Sequence, residues 1–155
     1  MTDPDYMRRA IRKAKAGIAE GQTPFGACVV RDGRVLACAH NTVWAETDAT
    51  AHAEINALRE ACRRAGTIDL AGSVVYSTCE PCPMCFSACL WARVSRVVFG
   101  ARIEDAARCG FNEIPVSDRA LLAQSGKRVA LVEDLLREEC LALFDAWARR
   151  GRRAY

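Results

Sequence analysis

The chain has 155 residues, 51% of them hydrophobic and 26% charged, with a formal net charge of +3. That balance suits one domain, residues 1–155, with a sizeable apolar core, and excludes a disordered, fibrous or disulfide-stapled protein. No stretch approaches the roughly 18 uninterrupted apolar residues of a membrane span, the acidic start MTDPDYMRRA does not read as a signal peptide, and the small positive charge does not argue for a nucleic-acid partner, so a cytoplasmic protein is expected.

Met7, Ala10, Ile11, Ala14 and Ile18 recur at helical spacing and predict a helix over residues 4–20, with Asp3 as its N-cap and Gly21 as its stop. PFGACVV and RVLACAHN flank Arg31-Asp32-Gly33, and the Asp-Gly pair predicts a β-hairpin. HAEINALREACRRAG then reads as a helix ending at Gly66, SVVYS as a strand, residues 83–93 as a helix and RVVFGA as a strand. KRVALV adds a fifth strand, and residues 135–150 form an amphipathic helix with Leu136, Cys140, Leu143, Phe144 and Trp147 along one side. The last five residues read as a loose end. Two consecutive strand–helix–strand passages require parallel neighbours with right-handed crossovers. Added to a hairpin, they give a mixed five-stranded sheet covered by helices on both faces, a three-layer α/β/α architecture.

This order places two chemically loaded stretches at helix starts. STCEPCPMCFSACLW carries Cys79, Cys82, Cys85 and Cys89 at C-x2-C-x2-C-x3-C spacing, and His52-Ala53-Glu54 opens the preceding helix. Such strand-to-helix junctions gather at the carboxyl edge of an open α/β sheet, where the positive helix ends favour thiolates and carboxylates. Cys82 and Cys85, three apart on one turn, can point at a single ion, with His52 as a third ligand. Three protein ligands leave a zinc ion one open position, which is the catalytic arrangement and calls for a nearby carboxylate to move protons. Glu54, two residues beyond His52, points away from the ligand direction and meets that need. An iron–sulfur cluster fits the four cysteines less well: Leu90 stands where that ligand run has proline, and His52 and Glu54 would have no task. A closed four-cysteine zinc site would need Cys89 to reach back a full turn. Cys79 and Cys89 therefore read as small buried hydrophobes beside the site, and Cys28, Cys38, Cys62 and Cys140 as core residues.

The pairing of His52-x-Glu54 with Pro81-Cys82-x-x-Cys85 is the signature of zinc nucleobase deaminases. The chain resembles the cytidine deaminase-like superfamily and, within it, bacterial guanine deaminases, with plant guanosine deaminases close by. The likeness runs through PFGACVV, NTVWAETDATAHAEINALREAC, YSTCEPCPMCFSACLWAR and AARCGFNE to the final Ala-Tyr. It implies one Zn2+ per chain and hydrolysis of guanine at C2 to xanthine and ammonia, with Glu54 shuttling protons. It also implies base contacts from Asn41, a stacking role for Phe25, a pocket wall at Trp91 and backbone stabilisation by Ala53. Glu113, in Gly110-Phe111-Asn112-Glu113, stands where these enzymes usually have aspartate, and keeps a carboxylate on a longer arm. The same resemblance implies a homodimer that exchanges its C-terminal segments, so that Tyr155 lies over the partner's pocket. RVVFGAR and the long last helix are similar instead to tRNA adenosine deaminases, which act on an anticodon loop.

Overall fold

The structure, a computed structural model, describes residues 1–151 and 153–155; Arg152, in the arginine-rich tail, lies outside them. Helix α1 (Asp3–Ala19) buries Tyr6, Met7, Ala10, Ile11, Ala14 and Ile18 on one face, as their spacing predicts. Its cap is Thr2 and not Asp3: the Asp5 carboxylate accepts the Thr2 N–H at 2.8 Å. Asp3 is drawn into the first turn by Arg96, which it pairs at 2.8 Å, and by the Tyr76 hydroxyl, which donates to it at 2.6 Å. Strands β1 (Gly26–Arg31) and β2 (Arg34–His40) form the hairpin. Asp32 and Gly33 both take positive φ, 51° and 72°, as its two-residue turn requires.

The remaining elements are α2 (Val43–Glu46), α3 (Ala53–Ala65), β3 (Ser73–Cys79), α4 (Pro83–Trp91), β4 (Arg96–Ala101), α5 (Ile103–Arg108), α6 (Asp118–Ser125), β5 (Ala130–Val132) and α7 (Arg137–Ala148). Helices α2, α5 and α6 have no counterpart in the sequence reading, because four, six and eight residues give too short a window for periodicity to show. Of KRVALV only the last three residues pair with β4.

The sheet runs β2-β1-β3-β4-β5. Strand β1 is antiparallel to both β2 and β3, while β3, β4 and β5 are parallel. The first crossover therefore does not lay β2 beside β3; β1 stands between them. The apolar run GACVV is buried along its length, whereas β2 is largely half-exposed, so β1 takes the interior and β2 the edge. Helices α1 and α7 cover one face of the sheet, and α3 and α4 the other. Contact is tightest at Gly26, where a Cβ would run into the Ala10 carbonyl of α1, and at Gly100, where it would meet Cys140 of α7. No helix among the described residues is long and apolar enough to cross a membrane. The expected loose end is not loose: Ala154 and Tyr155 pack against the α1/α7 core.

Candidate active site

Helices α3 and α4 both begin at the same edge of the sheet, and each N-cap is a candidate ligand: His52 for α3 and Cys82 for α4. Both take extended backbone, with ψ of 156° and 165°, which turns the chain sharply into the helix. Pro83 at the first helical position of α4 presets that turn, as proline does where no N–H is needed. Cys85 follows one turn on. The Sγ atoms of Cys82 and Cys85 lie 3.7 and 3.4 Å from His52 Nδ1, and the three ligand atoms fall within 4.8 Å of one another. A tetrahedral zinc with ordinary Zn–S and Zn–N bonds separates sulfur from nitrogen by about 3.5 Å. These residues thus fit one zinc ion, with Nδ1 as the histidine donor. Hydrogen bonds from Cys85 and then His52 hold the Cys82 thiol down at about 4, which favours the thiolate that zinc takes as a ligand. Cys89 is fully buried and stands outside the group, as does Cys79.

The cleft over this group is lined by Phe25, Asn41, His52, Glu54, Cys79, Glu80, Cys82, Glu113 and Tyr155. Glu54 is 6% exposed, and its burial raises its pKa. The Ser77 hydroxyl on β3 donates to Glu54 Oε1 at 2.9 Å and fixes its carboxyl beside the ligands. Burial, followed by the Cys82 charge, pushes Glu113 up to about 7. Asn41 is fully buried with both ends of its amide engaged: Oδ1 accepts from Val43 N–H at 3.1 Å, and Nδ2 donates to the Tyr155 hydroxyl at 2.6 Å. It is a turn residue and a cleft residue at once. Phe25 stacks edge-on to Phe111 at 4.9 Å, so one face belongs to the core and the other to the cleft. Ala53 is buried in the apolar layer under α3.

Tyr155 closes the cleft from its own chain, its ring 5.6 Å from that of His52. Its carbonyl accepts the Asn112 N–H at 2.9 Å, and the Trp44 indole N–H donates to the Arg153 carbonyl at 3.2 Å. With the tail in place the cleft volume is about 20 Å³, room for roughly one water.

Trp91 does not line this cleft. It is 86% exposed and stands with Ile68, Leu90 and Leu121 around a separate groove of about 760 Å³. As the last residue of α4 it lies about 12 Å along the axis from the metal end of that helix. Glu80, which lines the cleft, and Ser77, which holds Glu54, are not among the residues that the sequence singles out. Their signals are slight: one of the four hydroxyls of the strand SVVYSTC, and one carboxylate two residues before the first ligand cysteine.

Residues 1–101 match the family of the cytidine and deoxycytidylate deaminase zinc-binding region. The chain belongs to this family of zinc-dependent deaminases. Among individual proteins it is 36% identical to a guanine deaminase of Bacillus subtilis over 148 residues, 95% of this chain and 94% of that one. It is also 36% identical to a tRNA-specific adenosine deaminase of the same organism over 151 residues, 97% of this chain and 91% of that one. A solved structure of guanine deaminase from Nitrosomonas europaea superposes with a TM-score of 0.88 at 28% identity, covering 96% of this chain and 85% of that one.

Proposed function

We propose that residues 1–155 form one deaminase domain that hydrolyses guanine to xanthine and ammonia. The observation that carries this reading is a half-buried carboxyl, Glu113, lining with the His52/Cys82/Cys85 group a cleft that also holds Glu54. Guanine presents two donors, N1–H and the 2-amino group, on the edge where hydrolysis occurs, and a carboxylate accepts from them; adenine offers a ring-nitrogen acceptor there. When bound, zinc lowers the pKa of a coordinated water to near neutrality and so supplies a nucleophile at physiological pH.

The chain's residues do the rest. Glu54, held by Ser77, takes one proton from the attacking water and passes it to the ring nitrogen, then takes the second from the hydroxyl newly formed on C2 and passes it to the amine, so that the C–N bond breaks, the carbonyl forms and ammonia leaves. Its raised pKa suits both directions of transfer. Phe25 stacks on the purine, and Asn41 offers its amide to the purine edge once Tyr155 releases it. The N-terminus of α3 at Ala53 adds oriented N–H groups where negative charge develops. Tyr155 then closes and excludes water.

The acting form is a homodimer with exchanged C-terminal segments. A tail that reaches its own cleft makes the same contacts when it reaches an identical partner's, which is how exchange between copies arises at little cost. The exposed apolar groove around Trp91 and Ile68 supports a second copy as its cover. A cytoplasmic location is supported by nine cysteines with no disulfide among the described residues.

The test is ammonia release from guanine, guanosine, cytosine, adenosine and tRNA. Guanine should turn over fastest, and Glu54→Gln should keep one zinc per chain while losing at least roughly 10²-fold in kcat. Preference for adenosine in tRNA, with guanine inert, would overturn the substrate reading. A near-normal kcat in the variant would overturn the proton shuttle.

A further inference from the structure

Glu80 touches neither the metal group nor any charged partner among the described residues, yet it is 8% exposed and lines the cleft. Its own N–H donates to the Ala101 carbonyl at 2.8 Å, which ties it to the end of β4. Its carboxylate goes to two backbone donors far apart in sequence: Oε1 accepts from Asp118 N–H at 2.9 Å and Oε2 from Ile103 N–H at 3.4 Å. These are the first N–H groups of α6 and α5, donors that a helix leaves without a partner of its own. The two residues bracket the segment that carries Glu113.

We infer that Glu80 is a positioning residue: one carboxylate clamps both ends of residues 103–118 to the metal-bearing edge of the sheet and thereby aims Glu113 into the cleft. Between the clamped ends the segment has further anchors: buried Asp105 of α5 pairs with Arg137 of α7 at 2.7 Å, and two more lie nearer Glu113. Phe111 packs against Phe25 and, at 5.0 Å, against Trp147, and Asn112 N–H reaches the Tyr155 carbonyl at 2.9 Å. Glu113, next in line, has no hydrogen bond from its carboxyl among the described residues, so its direction is set by the backbone that carries it. A buried N–H left without an acceptor costs about 1–3 kcal/mol, enough to make a short loop shift and seek water.

The inference rests on the proposed role of Glu113, and the experiment keeps the two apart. Glu80→Gln in the zinc-loaded full chain preserves shape, but its amide nitrogen cannot accept, so one of the two N–H groups is orphaned. Zinc should stay at one per chain. Amide exchange within residues 104–117 should accelerate at least tenfold while α3 and α4 keep their protection, and kcat/KM on guanine should fall at least tenfold. In a Glu113→Gln background the same change should lower kcat/KM less than twofold, because there is no aimed carboxylate left to misplace. Equal losses in both backgrounds, or unaltered exchange in residues 104–117, would overturn the clamp. Accelerated exchange combined with wild-type turnover in Glu113→Gln alone would instead overturn the role of Glu113.

Should Glu80→Gln fold poorly, Asp118→Pro removes the Oε1 donor at a first-helical position that proline favours, with Asp118→Asn, which also loses the buried carboxyl but keeps the N–H, as its control. Ser117 already has φ −68° and ψ 153°, the conformation a following proline demands. It should reproduce the exchange and kinetic changes. Failure of both to appear would refute the clamp.

Discussion

Beside the clamp sits a carboxyl whose ionisation works against the fold. Asp118 is 1% exposed, and neither of its oxygens has a hydrogen-bond partner among the described residues. Burial, followed by the Glu80 charge, pushes it up to about 9. In the unfolded chain an aspartate titrates near 3.9. The folded state therefore holds a proton that the unfolded state gives up, and stability falls as pH rises from about 4 to about 9. Asp118→Asn removes this one contribution. The stability difference between wild type and variant should shift against the wild type by up to about 1.4 kcal/mol per pH unit in that window, read from urea unfolding at about pH 5.5 and about pH 8. A constant difference across that range would show that Asp118 is ionised in the fold. At this scale the sequence was most legible where chemistry is local and exclusive. His52, Cys82 and Cys85 announce themselves by spacing, and Glu54 by its place on the same turn. Glu80 does not, because its partners are backbone N–H groups 23 and 38 residues away, and a backbone donor leaves no mark in a sequence. Trp91 misled for the opposite reason: an aromatic residue near a motif says nothing about which side of a helix end it faces.

At the scale of elements, the site depends on how closely α1 can sit against β1, the strand whose N-terminal end carries Phe25. Gly26 has an ordinary backbone conformation, so its role is one of space: a Cβ there would strike the Ala10 carbonyl and crowd the Ala14 nitrogen. Those are main-chain atoms, which cannot swing aside as a side-chain tip would. Gly26→Ala should therefore cost about 1–3 kcal/mol or more, measured as a lower urea midpoint with an unchanged slope. A loss under about 0.5 kcal/mol, the range of ordinary surface substitutions, would mean that α1 yields freely. The hairpin, the long helices and the two parallel strands were all readable, since each carries turn chemistry or an unbroken period. The central place of β1 was not. Chain order suggests that a strand after a crossover lies beside the strand before it, and only the two-sided burial of GACVV explains why β1 intervenes.

At the scale of the whole molecule, the tail joins distant parts of the chain at the cleft mouth. Asn41 and Trp44 hold it from one side and Asn112 from the other. Removing residues 152–155 should lower kcat on guanine sharply while leaving zinc content and the sedimentation of the dimer unchanged; unaltered kcat and KM would reduce the tail to a solvated end. The Asn41–Tyr155 hydrogen bond has a further consequence. On the proposed role of Asn41 in holding the purine edge, the tail occupies that amide and behaves as a competitor on a leash, present at an effective concentration fixed by its tether and independent of dilution. Guanine would then bind only the fraction of molecules whose tail is lifted, and its apparent affinity would be reduced by that fraction. The half-saturating concentration is then set as much by the latch as by the cleft. Trp44→Phe deletes the indole bond to the tail at a residue that does not itself line the cleft, and should lower KM by weakening the occupant that the substrate has to displace.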